Sequence, residues 1–396
     1  MKIALINPNQ HLDYPQPHLG LLSIAGVCKQ QGHGIRYIDA NAHNLSSLEV
    51  IREIECVDIV GITATSLAYP AALELAKDIK SEYHKCLVLG GIHASLFPEE
   101  IIKDGIFDAV VTGEGEKLMP ILAELRHKGI YGNHLAVDLD QIPPLPYELL
   151  NGFKPRIAYG KHQPFMPILT ARGCPFSCSF CSNVIFGKKY RARSVEGVIA
   201  EIEKLHYQHG VKEIKIYDDV FTMDKSRAVE ISCRINNRVA WSCMTRVNLV
   251  DEYILKVMKR NGCYSIAYGL ESGDPDILKS ISKNTTLEQA EQAVRYSKEA
   301  GMTNIVGYFM FGAPGETLET IDETVDFAIA IGLDHAQFSI ATALPGSELY
   351  ELVPEALRAN SYALPWNNNP SLCELSPVQL KTAQVQAYKK FKRGRQ

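Results

Sequence analysis

Cys174, Cys178 and Cys181 stand close together in the stretch ARGCPFSCSFCSN, a CxxxCxxC array. A disulfide takes two cysteines, and a structural zinc site takes four ligands. A [4Fe–4S] cube has four irons to ligate, so three thiolates leave one iron with open positions. A small molecule can chelate that iron and accept an electron from the cluster. The missing fourth ligand is then the place of a substrate or co-substrate. Two other uses compete: zinc could recruit His162, although this is not a usual zinc spacing, and Cys243 could complete an electron-transfer cluster.

The elements that must present these thiols repeat a strand–helix pattern from about residue 165. MPILTAR, EIKIYDD, VAWSCMTR, SIAYGLES, NIVGYFMFG and HAQFSIATA read as strands. Between them, SVEGVIAEIEKLHYQHG carries Val195, Val198, Ile199, Ile202 and Leu205 on one helical face and stops at Gly210. TLEQAEQAVRYSKEAG opens on the capping-box pair Thr286 and Gln289 and ends at Gly301. The repeated units predict a partial (β/α)6 barrel of the TIM type, whose reactive residues sit on the loops after the strands. The three cysteines fall after the first strand.

Residues 1 to about 130 alternate in the same way. KIALINP, GIRYIDA, DIVGITA, KCLVLGG and DAVVTGEG are uniformly apolar, as strands of a parallel sheet covered on both faces are. They predict a flavodoxin-like (Rossmann-type) domain with its ligand crevice at the carboxyl ends of the strands. Thr65 and Ser66, Gly91 and His93, and Gly113, Glu114 and Gly115 follow those ends. One glycine turn would mean only a tight βα connection. Three small-residue rims in one sheet favour a large ligand lying against the backbone. Pro143, Pro144 and Pro146 then mark a linker.

The expected organisation is α/β throughout: a domain over 1–140, a linker over 141–164, a barrel over 165–350 and a short C-terminal segment over 351–396. In that segment PWNNNPSLCELS reads as loop, and SPVQLKTAQVQAYKKF as a helix starting at Ser376 and Pro377. Its basic end, KKFKRGRQ, reads as a frayed, solvated terminus.

A formal net charge of -4 argues against a nucleic-acid binder held by broad electrostatics. The N-terminus has too short an apolar run for a signal peptide, and no stretch is long enough to cross a bilayer. The expected compartment is the cytoplasm, where thiols stay reduced. The isolated cysteines (Cys28, Cys56, Cys86, Cys233, Cys243, Cys263 and Cys373) read there as small buried hydrophobes.

The CxxxCxxC loop after the first strand of a partial barrel, with Phe180 before its last cysteine, resembles the radical S-adenosylmethionine (SAM) superfamily. PHLGLLSIAG, GGIHAS and FDAVVTGEGE resemble the cobalamin-binding domain that precedes the barrel in one branch of it. YRARSVEGVIAEIEKL, IYDDVFT, YGLESGD and FGAPGET extend the likeness through the barrel, to about residue 350. The resemblance implies that Cys174, Cys178 and Cys181 ligate a [4Fe–4S] cluster whose open iron is chelated by SAM. It implies that Asp218 or Asp219 binds the SAM amine, that Glu271 and Ser272 hold the ribose hydroxyls, and that Gly312 runs along SAM. Arg246 is expected to face the SAM carboxylate or to form a structural salt bridge. FMFGAPGE departs from the stricter GxIxGxxE form, so Glu316 reads as a helix-start residue.

In the N-terminal half the resemblance puts Thr65, Ser66, Gly91, His93, Gly113, Glu114 and Gly115 at cobalamin. The run DxHxxG, whose histidine binds cobalt in many such domains, does not occur. Neither His93 nor His18 stands in that setting. The implied activity is radical methylation of an unactivated carbon in a small molecule, with a flavodoxin or ferredoxin as electron donor. Ring closure or another rearrangement is the alternative, and a non-catalytic iron–sulfur or corrinoid sensor ranks last.

Overall fold

The computed structural model describes residues 1–11, 15–132, 138–157, 160–358 and 372–395. Part of the predicted PWNNNPSLCELS loop therefore lies outside the described residues. The chain forms two compact units. One is Met1–Gly160 with Val184–Gly187 and Arg191–Arg193; the other is Lys161–Asn183 with Lys188–Tyr190 and Ser194–Gln396.

The first unit is built on the strands β1 (Lys2–Asn7), β2 (Gly34–Asp39), β3 (Ile59–Thr63), β4 (Cys86–Gly90), β5 (Ala109–Val111) and β6 (Gly129–Tyr131). All pair in parallel, in the order β2-β1-β3-β4-β5-β6. This is the doubly wound arrangement, and its crevice opens where the winding reverses, at the carboxyl ends of β1 and β3. The apolar runs explain the sheet: β3 is buried at every residue and β1 at all but its first. Sequence reading anticipated five of these strands. The sixth, Gly-Ile-Tyr, is too short to carry a period. The proline stretch packs here too, with Pro143, Pro144 and Pro146 against Gly26 of the helix Leu19–Gln30.

The second unit holds β7 (Phe165–Ile168), β8 (Glu213–Ile216), β9 (Ala240–Thr245), β10 (Cys263–Glu271), β11 (Asn304–Phe311) and β12 (His335–Ile340). They form one parallel sheet in chain order, a partial barrel. Each strand overlaps a stretch expected to be one, although β7 begins one residue and β10 two residues before it. The helix Val195–His209 starts on the Ser194 cap and stops at Gly210, which is left-handed. The helix Leu287–Glu299 carries the Thr286–Gln289 capping box.

The C-terminal helix, Pro377–Gly394, begins on a Ser376–Gln379 capping box and lies on the edge strand β12. Gln384 Nε2 donates to the Phe338 carbonyl (2.7 Å), and Phe338 N–H donates to the Tyr388 hydroxyl (3.1 Å). Two side chains thus replace the missing neighbour strand and cover an otherwise exposed edge. The basic end is not frayed, contrary to expectation. Lys390 pairs with Asp322 and Asp326 at 2.8 and 2.6 Å, and Phe391 is buried against Phe338. No helix among the described residues is long and apolar enough to cross a membrane.

Two of the isolated cysteines also depart from expectation. Cys56 and Cys233 are exposed, whereas Cys28, Cys243 and Cys263 are buried. Cys56 lies in the turn after a short helix, and Cys233 on the solvent side of the helix Lys225–Ile235.

Candidate active site

The three thiols stand on an irregular loop after β7 whose main chain is fixed from several directions. Cys181 N–H donates to the Cys178 carbonyl, and Ser179 is tied both to Ile281 (3.0 Å) and to Leu349 (2.9 Å). Asn183 Nδ2 donates to the Cys174 carbonyl, and the Ser182 hydroxyl donates to that of Pro345. Phe180 packs against Ile277, Ile281 and Ala313.

Two cations flank the loop. Arg246, just past β9, brings Nη1 to 3.3 Å from Cys178 Sγ and stacks its guanidinium 4.0 Å from the Phe176 ring centre. It also donates to the Lys283 carbonyl. Lys283 places its ammonium 5.6 Å from the Phe180 ring centre. Arg246 thus faces the cysteine loop, and no salt bridge to it occurs among the described residues, which corrects the expected structural salt bridge.

Burial, reinforced by the neighbouring thiols and Asp219, pushes the Cys181 thiol up to about 11; burial raises Cys174 as well. Such thiols ionise when a metal supplies the compensating charge. The donor set, three thiols and two nearby cations, fits an anionic iron–sulfur cluster with one iron left open. Among the described residues no ready-made cage of His, Cys, Asp or Glu side chains exists. Cys243 is buried in β9 and interacts with Cys263, which leaves it no part in that cluster.

Asp218 and Asp219, past the end of β8, are adjacent and do different things. Asp218 is buried and accepts from Thr170 N–H (2.6 Å), Ala171 N–H (3.0 Å) and the Thr170 hydroxyl. Its carboxylate is spent on shaping the entry to the cysteine loop, and burial pushes it up to about 6. Asp219 is exposed, within electrostatic reach of Cys174 and Cys181. Only Asp219 of the two is open to a ligand.

Glu271, at the end of β10, has a left-handed backbone (φ 68°) and a buried ion pair with Lys283 at 2.6 Å. Gly269 makes this possible, because a Cβ there would meet Glu271 Oε1 at 2.6 Å and Lys283 Nζ at 2.9 Å. Ser272 is engaged within the fold. It is buried, 3.2 Å from the Thr324 hydroxyl, and it accepts from Asp274 N–H. Lys283 was not anticipated; it lies twelve residues beyond its partner (283 − 271), with no motif to mark it.

Gly312 takes φ 93° and donates to Glu316 Oε2, as does Ala313 N–H at 3.0 Å. Glu316 therefore closes the turn before the helix Leu318–Ala330. Its other oxygen, Oε1, is buried with no partner, and burial pushes the carboxyl up to about 7. The folded protein holds this proton more tightly than the unfolded chain does. The resulting stabilisation is full below about pH 4.5 and is lost as the pH rises through about 7. Glu316→Gln is expected to remove up to about 3 kcal/mol of this pH dependence, because one pKa unit is about 1.4 kcal/mol. Urea midpoints measured from pH 5.5 to 8 check it; parallel profiles for the two proteins would refute it.

In the first unit, β3, β4 and β5 are neighbours, so the three small-residue rims do come together. Thr65 is exposed, and a Cβ on Gly113 would meet nothing within 4 Å. These two positions leave the backbone of the rim open to a ligand, as a bound cobalamin requires. The other residues expected there serve the fold. Gly91 makes a turn in which a Cβ would lie 2.7 Å from Thr63 Oγ1. Gly115 opens the turn into the helix Leu118–Leu125 and is packed on Ile24. Ser66 holds His93 Nδ1 at 3.1 Å, and the buried His93 ring stacks on Tyr69 with centres 3.9 Å apart. Glu114 is held by both terminal nitrogens of Arg191 at 3.0 and 2.7 Å. His18 Nδ1 accepts from Leu21 N–H, and Nε2 lies 3.4 Å from the Thr63 hydroxyl. Burial lowers His18 and His93 to about 4, so both are neutral near pH 7. With His18 Nδ1 occupied and His93 stacked inside the fold, neither ring is placed to ligate cobalt.

The chain matches the family model of the radical SAM superfamily over residues 168–328 and that of the B12 binding domain over residues 9–123. An uncharacterized methyltransferase of Pyrococcus horikoshii is 38% identical, with 89% of this chain and 83% of that one aligned. The anaerobic magnesium-protoporphyrin IX monomethyl ester cyclase of Rubrivivax gelatinosus is 30% identical over 89% of this chain and 70% of its own. Among solved structures, the radical S-adenosylmethionine methyltransferase TsrM of Kitasatospora setae, with cobalamin and a [4Fe–4S] cluster bound, shares the fold. Its TM-score is 0.72 at 20% identity, covering 89% of this chain and 75% of that one. This chain belongs to the radical SAM superfamily, in the branch with a B12-binding domain, as an enzyme whose cofactors are a [4Fe–4S] cluster, SAM and cobalamin.

Proposed function

We propose that the protein methylates an unactivated carbon of a small molecule, using a 5′-deoxyadenosyl radical from one SAM and a cobalamin-carried methyl group from another. The observation that carries this reading is the cysteine loop with Arg246 and Lys283 beside it, in a chain 38% identical to a protein described as a methyltransferase. Bound together, the cofactors supply hydrogen abstraction and a transferable methyl group, and the protein positions and shields them.

The residues take these roles. Cys174, Cys178 and Cys181 hold the cluster, and Arg246 and Lys283 offset its negative charge. Phe180 and the Gly312 backbone flank SAM, Asp219 accepts from its amine, and Glu271 from its ribose. Thr65 and Gly113 lie against cobalamin. A flavodoxin or ferredoxin delivers the electron in the cytoplasm.

Asp219→Asn is expected to weaken SAM binding about tenfold or more, the range for a lost charge-assisted hydrogen bond, without changing the unfolding midpoint. Asp218→Asn should instead destabilise the fold. Equilibrium binding and thermal unfolding separate the two, and equal effects of both substitutions on SAM binding would remove the assignment.

The alternative is ring closure or rearrangement without methyl transfer, supported by the 30% identity to a cyclase. Products distinguish the readings. Methylation yields 5′-deoxyadenosine and S-adenosylhomocysteine together under reducing conditions. The alternative yields 5′-deoxyadenosine alone, and that result would sink methyl transfer.

A further inference from the structure

The barrel sheet carries a polar row on its inner face that no cofactor role explains. In β8 the side chains of Ile214 and Ile216 are fully buried under the helices, while Lys215 and, just beyond the strand, Tyr217 are half-buried. Strand alternation therefore turns Lys215 and Tyr217 towards the inside of the barrel. In register with Lys215 stand Pro167 on β7 and Ser242 on β9. Ser242 is in register with Ser265 on β10, and Ser265 with Asn304 on β11. Lys215, Ser242, Ser265 and Asn304 thus form one transverse row across four adjacent strands.

Two groups in this row are unspent. Lys215 Nζ sits 4.9 Å from the Tyr217 ring centre and has no hydrogen bond or ion pair among the described residues. Its in-register neighbours are not acids. The nearest acid on its own strand face, Glu213, is fully occupied: it accepts from Lys161 N–H (2.8 Å), His162 N–H (2.6 Å) and the Tyr264 hydroxyl (2.6 Å). At the other end of the row, Asn304 donates from Nδ2 to the Ser265 hydroxyl at 3.0 Å. Its Oδ1 has no partner although the residue is only 5% exposed. A half-buried ammonium without an ion-pair or hydrogen-bond partner and a buried acceptor without a donor each cost free energy until a ligand supplies the complement. Burial also lowers the Lys215 ammonium from its ordinary value, outweighing the attraction of Cys243 and Glu213.

We infer that this row is the substrate-anchoring floor of the barrel and that the substrate is a small acid, its carboxylate or phosphate held by Lys215 and a donor group of the same molecule by Asn304 Oδ1. Asp219 lies four positions beyond Lys215, at most about 13 Å away along an extended chain. A substrate anchored at the floor extends from there towards the rim, where the radical chemistry is proposed. The inference rests on that proposal for the place of the substrate, but not on methyl transfer.

The test uses the cofactor-loaded enzyme with SAM and three probes at matched ionic strength: inorganic phosphate, glutarate and the uncharged diamide of glutarate. Thermal unfolding reads binding to the folded state without turnover. One or both acids should raise the unfolding midpoint and the diamide should not. Which acid acts assigns carboxylate or phosphate. Lys215→Met should weaken acid binding about tenfold or more, and Lys215→Arg should retain it. If Lys215→Met fails to fold, Lys215→Gln takes its place. No acid-specific shift in the wild type, or an equal shift in the neutral variants, would overturn the inference. Methyl transfer can fail its own product test while this binding result stands, and the reverse also holds.

Discussion

Replacing any one of Cys174, Cys178 and Cys181 by alanine should strip the protein of its iron–sulfur cluster and of all reductive SAM cleavage. In the proposed site each thiol supplies one of only three protein bonds to the cluster, so there is no spare ligand to take over. The loss should exceed the roughly 10–100-fold effect of removing a group that merely supports a ligand. Arg246 provides the comparison. Its guanidinium touches Cys178 Sγ and stacks on Phe176, so Arg246→Met should fall within that smaller range. Cys56→Ser and Cys233→Ser, at exposed positions, should keep both iron and activity. Iron content, visible absorption and 5′-deoxyadenosine yield after anaerobic reconstitution measure all of these. A loop variant with full iron content and full cleavage would exclude the three-thiol assignment.

The second large effect concerns stability. Arg191→Met should cost about 3–5 kcal/mol, because it takes the bidentate charge partner away from a buried carboxylate. The pair is bidentate, and its two side chains are 7% and 2% exposed, so solvent can do little to replace the missing charge. Replacing both partners with apolar residues should cost less than replacing Arg191 alone, since no lone charge then remains. Denaturant unfolding of the single and double variants tests this ordering. A change within about 0.5 kcal/mol for Arg191→Met, as at an ordinary surface site, would show that the pair carries no stability.

The same pair shows where sequence reading stops. The strands were legible because parallel strands covered on both faces are apolar at almost every position, and the helix ends because Ser194, Thr286 and Ser376 cap locally. Each of those signals lies within a few residues. Glu114 reads as a rim residue for a ligand until Arg191, 77 residues away, is seen to take both its oxygens. Asp218 and Asp219 are chemically identical neighbours, and only the turn that sends one carboxylate inward to Thr170 separates them. Ser272 matched a family position and is buried in a hydrogen-bonded turn. The Lys215 row spans four strands, so it exists only once the register is known. The cysteine loop was legible because its three thiols stand within eight residues of one another.

The central claim is that this enzyme moves a methyl group as well as making a radical. The most direct measurement incubates reconstituted enzyme with reductant, cobalamin and SAM carrying a deuterated methyl group, then follows the label by mass spectrometry. Labelled methylcobalamin together with S-adenosylhomocysteine is the predicted result. Formation of 5′-deoxyadenosine with every deuterated methyl group still on methionine or unreacted SAM would contradict it.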